Sequence, residues 1–318
     1  MKKYMVLVLN TLLLIPFLEI KAAEPVDIRV ATLAGTTGLS MVKMMETPKL
    51  KNFICSFEVL KSPDLAVAKL VAGETDFAGL PTNMAAILYN RGIGIQLSAI
   101  IGWGVMYVVS EDNGIKQWKD LKGKEVYVSS KGAISDILLR YLISKNGLNP
   151  ETDVRIQYIS SAVEIAQLAA SGKAAVTALP EPWVTQVLEK NPKLNVVLDF
   201  QQEWKRVEKQ GLFYPQTCVV VRRQFIKEYP EAVKEFLKGL SESMKWLQAN
   251  GETGGTLAEK YVQISAIAVK SGLERCNLKY NDAYKVQNEV KGFLSRLVEF
   301  APESVGGKIP DEGFIYHP

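Results

Sequence analysis

AKLVAGETDFAGLP, residues 68–81, and QLAASGKAAVTALP, residues 167–180, run in step. Each closes an amphipathic helical stretch at a glycine (Gly73, Gly172), continues through a short apolar run (Phe77 to Leu80, Ala174 to Leu179) and stops at a proline, Pro81 or Pro180, before another helical stretch. Glycine takes the left-handed conformation that ends a helix, and proline suits a first helical turn because its missing N–H has no intrahelical partner to lose. Few residues are identical between the copies. What repeats is the order of elements, two αβα units, and common descent stays open.

Working outward from the first copy, strands at Ile28–Leu33, Phe53–Leu60, Phe77–Leu80 and Ile95–Ile101 alternate with helices at Gly38–Glu46, Asp64–Ala72 and Thr82–Tyr89. After a run from Val105 to Ser110 comes a polar break, SEDNGIKQWKDLKGK, and the alternation restarts. Strands at Glu125–Ser129, Val154–Ile159, Ala174–Leu179 and Asn195–Leu198 are interleaved with helices at Ile134–Lys145, Ala162–Ser171 and Trp183–Glu189. A polar and aromatic interval, Asp199 to Tyr214, precedes a strand at Thr217–Arg222, a long helix at Glu231–Ala249 and two further helical stretches to about Phe300. Such alternation predicts an α/β fold of parallel crossover units in two lobes. Residues 24–109 with 200–318 form the first lobe and 110–199 the second, inserted into it. Two crossings, near Ser110 and Asp199, would then make a hinge.

At 318 residues, 47% apolar and 23% charged, the chain is long enough for two globular units. Residues 1–23 read as a secretory signal: Lys2 and Lys3 precede an apolar run from Met5 to Phe17, and Ala22 and Ala23 stand before Glu24. Asn10, Pro16 and Glu19 argue against a spanning helix. With no cysteine nearby for lipid attachment, the mature chain is expected to be free, monomeric and periplasmic. Its net charge falls from +4 to +2 once Lys2, Lys3, Lys21 and Glu19 are removed, which gives no electrostatic footprint for nucleic acid. The three cysteines, Cys55, Cys218 and Cys276, allow at most one disulfide. Cys55 and Cys218 sit in apolar strand-like runs and read as buried free thiols.

In open α/β sheets a ligand lies beyond the carboxyl ends of the strands, against helix N-termini. That rule selects Ala34-Gly35-Thr36-Thr37-Gly38, Pro81-Thr82-Asn83 and Gly102-Trp103-Gly104 in the first lobe. In the second it selects Ser129-Ser130-Lys131-Gly132 and Pro180-Glu181-Pro182-Trp183. Thr37, Thr82 and Ser130 each carry two readings, ligand contact or helix cap. Glu181 either bonds a ligand amine or amide or improves the charge at a helix N-terminus. Trp103 and Trp183 either stack on a planar ligand or fill the lobe edge. Catalytic classes find little support. The sole histidine, His317, is one residue from the end, no phosphate loop or Cys-x-x-Cys occurs, and metal ligands are not clustered, so neither a metal nor a cofactor is expected.

The phrases KLVAGETDFAGLPTN, WKDLKGKEVYVSSKG, ALPEPWVTQVLEKNP and CVVVRRQFIKEYPEAVKEFL resemble the periplasmic substrate-binding proteins of ABC importers. Within these they are nearest the branch that takes nitrate, sulfonates, taurine and thiamine precursors. The resemblance covers nearly all of the chain past residue 23. It implies a type II binding-protein fold and, as partners, a small-molecule ligand, an ABC permease and its ATPase. The ligand would sit between the lobes against Thr36, Thr37, Pro81, Thr82, Asn83, Ser130, Lys131, Gly132 and Glu181. Were it a small anion, its charge would be met by the N–H groups of Thr37, Thr82 and Gly132, with Lys131 as the only cation in the five segments. The alternative is an enzyme on the same fold, in pyrimidine or menaquinone-precursor synthesis. A pyrimidine-synthesising relative carries a cysteine-rich motif and an active-site histidine, which this sequence lacks.

Overall fold

Strand-forming runs that are buried on both faces read as continuous apolar stretches, and FAGL at 77–80 and MYVVS at 106–110 are buried throughout. The computed structural model describes residues 26–209 and 214–318; the leader expected at 1–23 lies outside them. The first group of elements is β1 (Val26–Leu33), α1 (Thr36–Glu46), β2 (Lys49–Leu50), β3 (Phe53–Leu60), α2 (Pro63–Ala72), β4 (Phe77–Pro81), α3 (Thr82–Asn90) and β5 (Ile95–Gly102). The second is β6 (Met106–Ser110), β7 (Glu125–Ser129), α4 (Ile134–Lys145), β8 (Arg155–Ile159), α5 (Ala162–Ala170), β9 (Val176–Pro180), α6 (Trp183–Lys190), β10 (Asn195–Asp199) and α7 (Phe200–Glu208). The third is β11 (Thr217–Arg222), α8 (Arg223–Glu228), α9 (Pro230–Ala249), α10 (Gly251–Val262), α11 (Ala266–Gly272), β12 (Leu278–Asp282) and α12 (Gln287–Phe300).

Two sheets result, a seven-stranded one in the order β12-β5-β11-β4-β1-β3-β2 and a five-stranded one in the order β10-β6-β9-β7-β8. The repeat seen at residues 68–81 extends through both. Leu60 and Ile159 end equivalent strands, Pro63 and Ala162 open equivalent helices, and Phe77–Pro81 matches Val176–Pro180, all at one constant offset. Gly73 caps α2 and Gly172 follows α5 at φ 74 and 72, the left-handed turn expected of both. Each half also lends a strand to the other. β6 runs antiparallel between β9 and β10, while β11 runs antiparallel between β4 and β5.

This exchange moves the crossings. Met106–Ser110 belongs to the second sheet, so the chain passes between sheets at Trp103–Val105 and not at Ser110. The second crossing falls beyond Asp199, because α7 begins there and packs on α4 and β6. Asp199 caps that helix, its carboxylate accepting from the N–H groups of Gln201 (2.7 Å) and Gln202 (3.0 Å). The tail holds more than expected: α8, three helices after α9 in place of two, and the polar strand β12 pairing with β5 at the sheet edge. Alongside the crossings the lobes touch at two places. Helix α11 packs on α6, and Trp204 and Tyr141 of the second lobe meet Phe293 and Phe300 of α12 at ring distances of 5.6 and 5.4 Å. All three cysteines are buried free thiols, and burial pushes those of Cys55 and Cys218 up to about 12. Among the described residues no helix is long and apolar enough to cross a membrane.

Candidate ligand cleft

Because the halves are equivalent, the loops beyond the parallel strands come in pairs, and six of them line one cavity of about 280 Å³. Beyond β1, β3 and β4 these are 34–37, 61–63 and the turn holding Pro81 and Asn83. Beyond β7, β8 and β9 they are 129–135, 160–163 and 180–183. Val105 and Met106, at one crossing, and Gln216 and Thr217, beside the other, complete the lining. A second cavity of about 550 Å³ adjoins it, sharing Ala34, Lys61, Ser161, Val163 and Trp183.

Of the residues expected from the sequence, Thr36, Thr37, Pro81, Asn83, Ser130, Gly132, Glu181 and Trp183 are brought together on this wall. Thr82, Trp103 and Lys131 are not. Thr82 is fully buried, its N–H donating to the Gln216 carbonyl (2.9 Å) and its hydroxyl without a hydrogen-bond partner among the described residues. Trp103 lies in the crossing, its indole N–H donating to the Lys279 carbonyl at 3.1 Å. Lys131 is exposed, with Nζ 6.0 Å from the centre of the Tyr158 ring.

The capping reading fails for all three hydroxyls, since the residues before α1, α3 and α4 are Gly35, Pro81 and Ala133, with no side-chain cap bond. Thr37 Oγ1 instead donates to the Leu33 carbonyl (3.2 Å), and Ser130 Oγ donates to the Ser160 carbonyl (3.1 Å), so both hold strand ends to neighbouring loops. The anion arrangement also changes. The Thr82 N–H is taken by Gln216, and the Gly132 N–H donates to Asp136 Oδ2 at 2.8 Å. Asp136 is fully buried in the first turn of α4, and its Oδ1 accepts from the Tyr158 hydroxyl at 3.0 Å. The N-terminus of α4 thus carries its own carboxylate, whereas the first turn of α1 has no acid.

Glu181 is the one acid among the described residues on the cavity wall, and its side chain is wholly shielded from solvent. Burial pushes its carboxyl up; the bonds from Arg275 and Thr185 pull in the other direction. Arg275 Nε donates to Oε1 at 2.5 Å, and the N–H of Thr185 in α6 donates to Oε2 at 3.0 Å. The carboxylate therefore serves α6 and a cation from the other lobe. Trp183, at the start of α6, is 7% exposed and lines both cavities. Asn83 is oriented by its partner: Nδ2 donates to the Ser304 carbonyl (3.0 Å), which can only accept, leaving Oδ1 buried without a partner among the described residues. Sequence reasoning missed Gln216, whose Oε1 accepts from the Val105 N–H (2.9 Å) and ties the crossings together. It also missed the serine cluster Ser135, Ser160 and Ser161. Ser161 carried a legible signal, a helix cap ahead of Glu164, and its hydroxyl accepts from that N–H at 3.2 Å. His317 lies away from the cleft against Tyr284, and no group of metal-binding residues occurs among the described residues.

The sequence pattern of the NMT1-like family matches residues 22–259. The nitrate/nitrite binding protein NrtA of Synechococcus elongatus is 25% identical over 217 residues, which is 66% of this chain and 46% of that protein; the match thus spans under half of that relative. A crystal structure described as an ABC transporter from Parabacteroides distasonis is 31% identical, with a TM-score of 0.79 over 92% of this chain and 99% of that one. The periplasmic aliphatic sulphonate binding protein SsuA from Escherichia coli shares the fold at 17% identity, with a TM-score of 0.71 over 92% and 93% of the two chains. NrtA and SsuA are both named as binding proteins.

Proposed function

The chain belongs to the NMT1-like family, and from that premise we propose that it is the exported, periplasmic solute-binding subunit of an ABC importer, which captures a small organic solute between its lobes and hands it to a permease. The observation that carries this reading is the cavity built from equivalent loops of both sheets, since a ligand there touches both lobes at once and favours their closure about the two crossings.

The lining supports a solute with an apolar body. Leu33, Met84, Ile87, Ile134, Val163 and Trp183 dominate it, and Lys61 is the one cation among the lining residues. A bare inorganic oxyanion would leave that apolar wall unused. An acidic or acceptor head group is best served at the start of α1, where the first N–H groups have no intrahelical partner and no competing acid. An alkyl or aryl sulfonate meets both demands. A planar heterocycle of the thiamine-precursor kind is the second reading, favoured by Asn83 Oδ1, a buried acceptor that calls for an N–H donor.

Calorimetric titration with alkanesulfonates, taurine, nitrate and hydroxymethylpyrimidine, beside mass spectrometry of whatever co-purifies, tests the reading. Saturable binding of an organic solute is expected. For a planar ligand Trp183→Ala should weaken binding more than Trp183→Phe by about 0.5 to 1.5 kcal/mol, and for a compact sulfonate the two should match. Binding of nitrate alone would overturn the organic-solute assignment, and absence of any bound or binding solute would overturn the capture function.

A further inference from the structure

Glu181 belongs at once to the cavity wall, to a crossing and to the contact between lobes. Its backbone N–H donates to the carbonyl of Val105, in the first crossing, at 2.8 Å. Its carboxylate meets Arg275, which lies 94 residues away in the connection between α11 and β12. One hydroxyl joins them further: Arg275 donates to Thr185 Oγ1 at 2.6 Å, and that hydroxyl donates to Glu181 Oε1 at 2.9 Å. The helix face opposite is cut to fit, because a Cβ on Gly272 of α11 would stand 2.3 Å from Thr185 Oγ1. The Arg275 connection is also held to β6 of the second lobe and to the crossing through groups that do not involve the guanidinium. The Tyr107 hydroxyl donates to the Arg275 carbonyl (3.0 Å), and Asn277 Nδ2 donates to the Gly104 carbonyl (2.7 Å). The guanidinium is thus left to reach across to the cleft wall.

We propose that Arg275 is a positioning residue that acts through Glu181: the pair is an inter-lobe latch that fixes the angle between the lobes in the ligand-free protein and so sets how readily the cleft closes on a solute. This rests on the reading of the cleft as a two-lobed capture site. A second inter-lobe pair, Arg296 with Glu208, lies on the α12 side and has no residue in the cavity lining, so the two are separable. Rotation of one sheet against the other strains the Arg275 pair, because Glu181 follows β9 of the second sheet while the chain at Arg275 leads from α11 into β12 of the first. The affinity of a protein whose binding-competent arrangement is only partly populated falls by that fraction.

The test needs no ligand. Spin labels at Asn52→Cys and Lys173→Cys, both exposed and on different lobes, report the inter-lobe distance by pulsed electron paramagnetic resonance, the native cysteines being buried. In the ligand-free protein Arg275→Gln and Glu181→Gln should shift or broaden the distance distribution alike, Arg275→Lys should do so less, and the double variant no more than either single one. Far-UV circular dichroism should stay unchanged. If Arg275→Gln fails to fold, the Arg275→Lys and Glu181→Gln distributions still decide. Distributions matching the parent in the folded variants would overturn the latch. Failure of every solute to bind would refute the capture function while leaving this distance measurement to stand or fall alone.

Discussion

Asp136→Asn should both destabilise the second lobe and change what the cleft offers an anion. The carboxylate is fully buried and takes two donors, the Gly132 N–H and the Tyr158 hydroxyl. Charge-assisted bonds of this kind contribute about 1.5 to 3 kcal/mol each, and the acid at the head of α4 adds roughly 0.3 to 1 kcal/mol through the helix dipole. Asparagine keeps the shape and one acceptor but sets an NH2 against the other donor. The expected loss is about 2 to 4 kcal/mol, or roughly 3 to 6 °C in the melting temperature for a chain of this size. Tyr158→Phe removes only one of the bonds, so its cost should be about 1 to 2 kcal/mol, and the two effects should not add. Urea and thermal unfolding of the three proteins measure this directly. Titration with a short alkanesulfonate supplies the second readout: with the carboxylate neutralised, Asp136→Asn should bind the anion more tightly than the parent once its lower stability is allowed for. A melting temperature within 2 °C of the parent would refute the account of the α4 terminus as self-compensated.

Two further outcomes follow from the buried groups. Native protein should react with a thiol reagent far more slowly than unfolded protein, with all three thiols appearing only in denaturant, because burial raises the thiols of Cys55, Cys218 and Cys276 and shields them; rapid native labelling would contradict their placement. Stability should hold or rise slightly as the pH is lowered from about 7 to 5 and then fall. Burial raises the carboxyls of Glu181 and Asp199, whose contribution is present at low pH and lost as the pH rises through their folded values. Asp112, bonded to Lys124, and Asp120, bonded to the N–H groups of Lys116 and Gln117, are lowered and contribute above their ordinary values until acid protonates them. Unfolding curves that weaken steadily from pH 7 downward would count against this balance.

Local physics made much of the fold legible before any tertiary contact was known. Strands with a continuous apolar run, helices with an apolar face, and the glycine and proline that punctuate them are properties of a few consecutive residues. Phe53–Leu60, Glu125–Ser129 and Ile134–Lys145 accordingly fall where the pattern puts them. Four of the six loops that line the cleft were legible for the same reason, since the rule that ligands sit at the carboxyl ends of parallel strands needs only the strand order along the chain; 61–63 and 160–163 were not singled out, and Gly102-Trp103-Gly104 is absent from the lining. Helix α7 escaped because its long polar run masks a narrow apolar face, although Asp199 stood as a cap ahead of it. Strand β12 escaped because an edge strand of Leu278–Asp282 carries almost no apolar signal.

Other features depend on which element lies beside which, and no local pattern encodes that. MYVVS reads as a strand in either lobe; its place between β9 and β10 is decided by backbone pairing with partners some 70 to 90 positions distant. Lys131 and Gly132 are adjacent in sequence, yet one points to solvent and the other donates to Asp136, because Ser130 at φ 27 and Gly132 at φ 81 turn the loop. Glu181 could have met a ligand or a helix end from its own segment alone. Only the fold brings Arg275 to it across the lobes. A buried carboxylate needs its donors within about 3 Å, and those distances are set by packing between distant parts of the chain and not by sequence spacing.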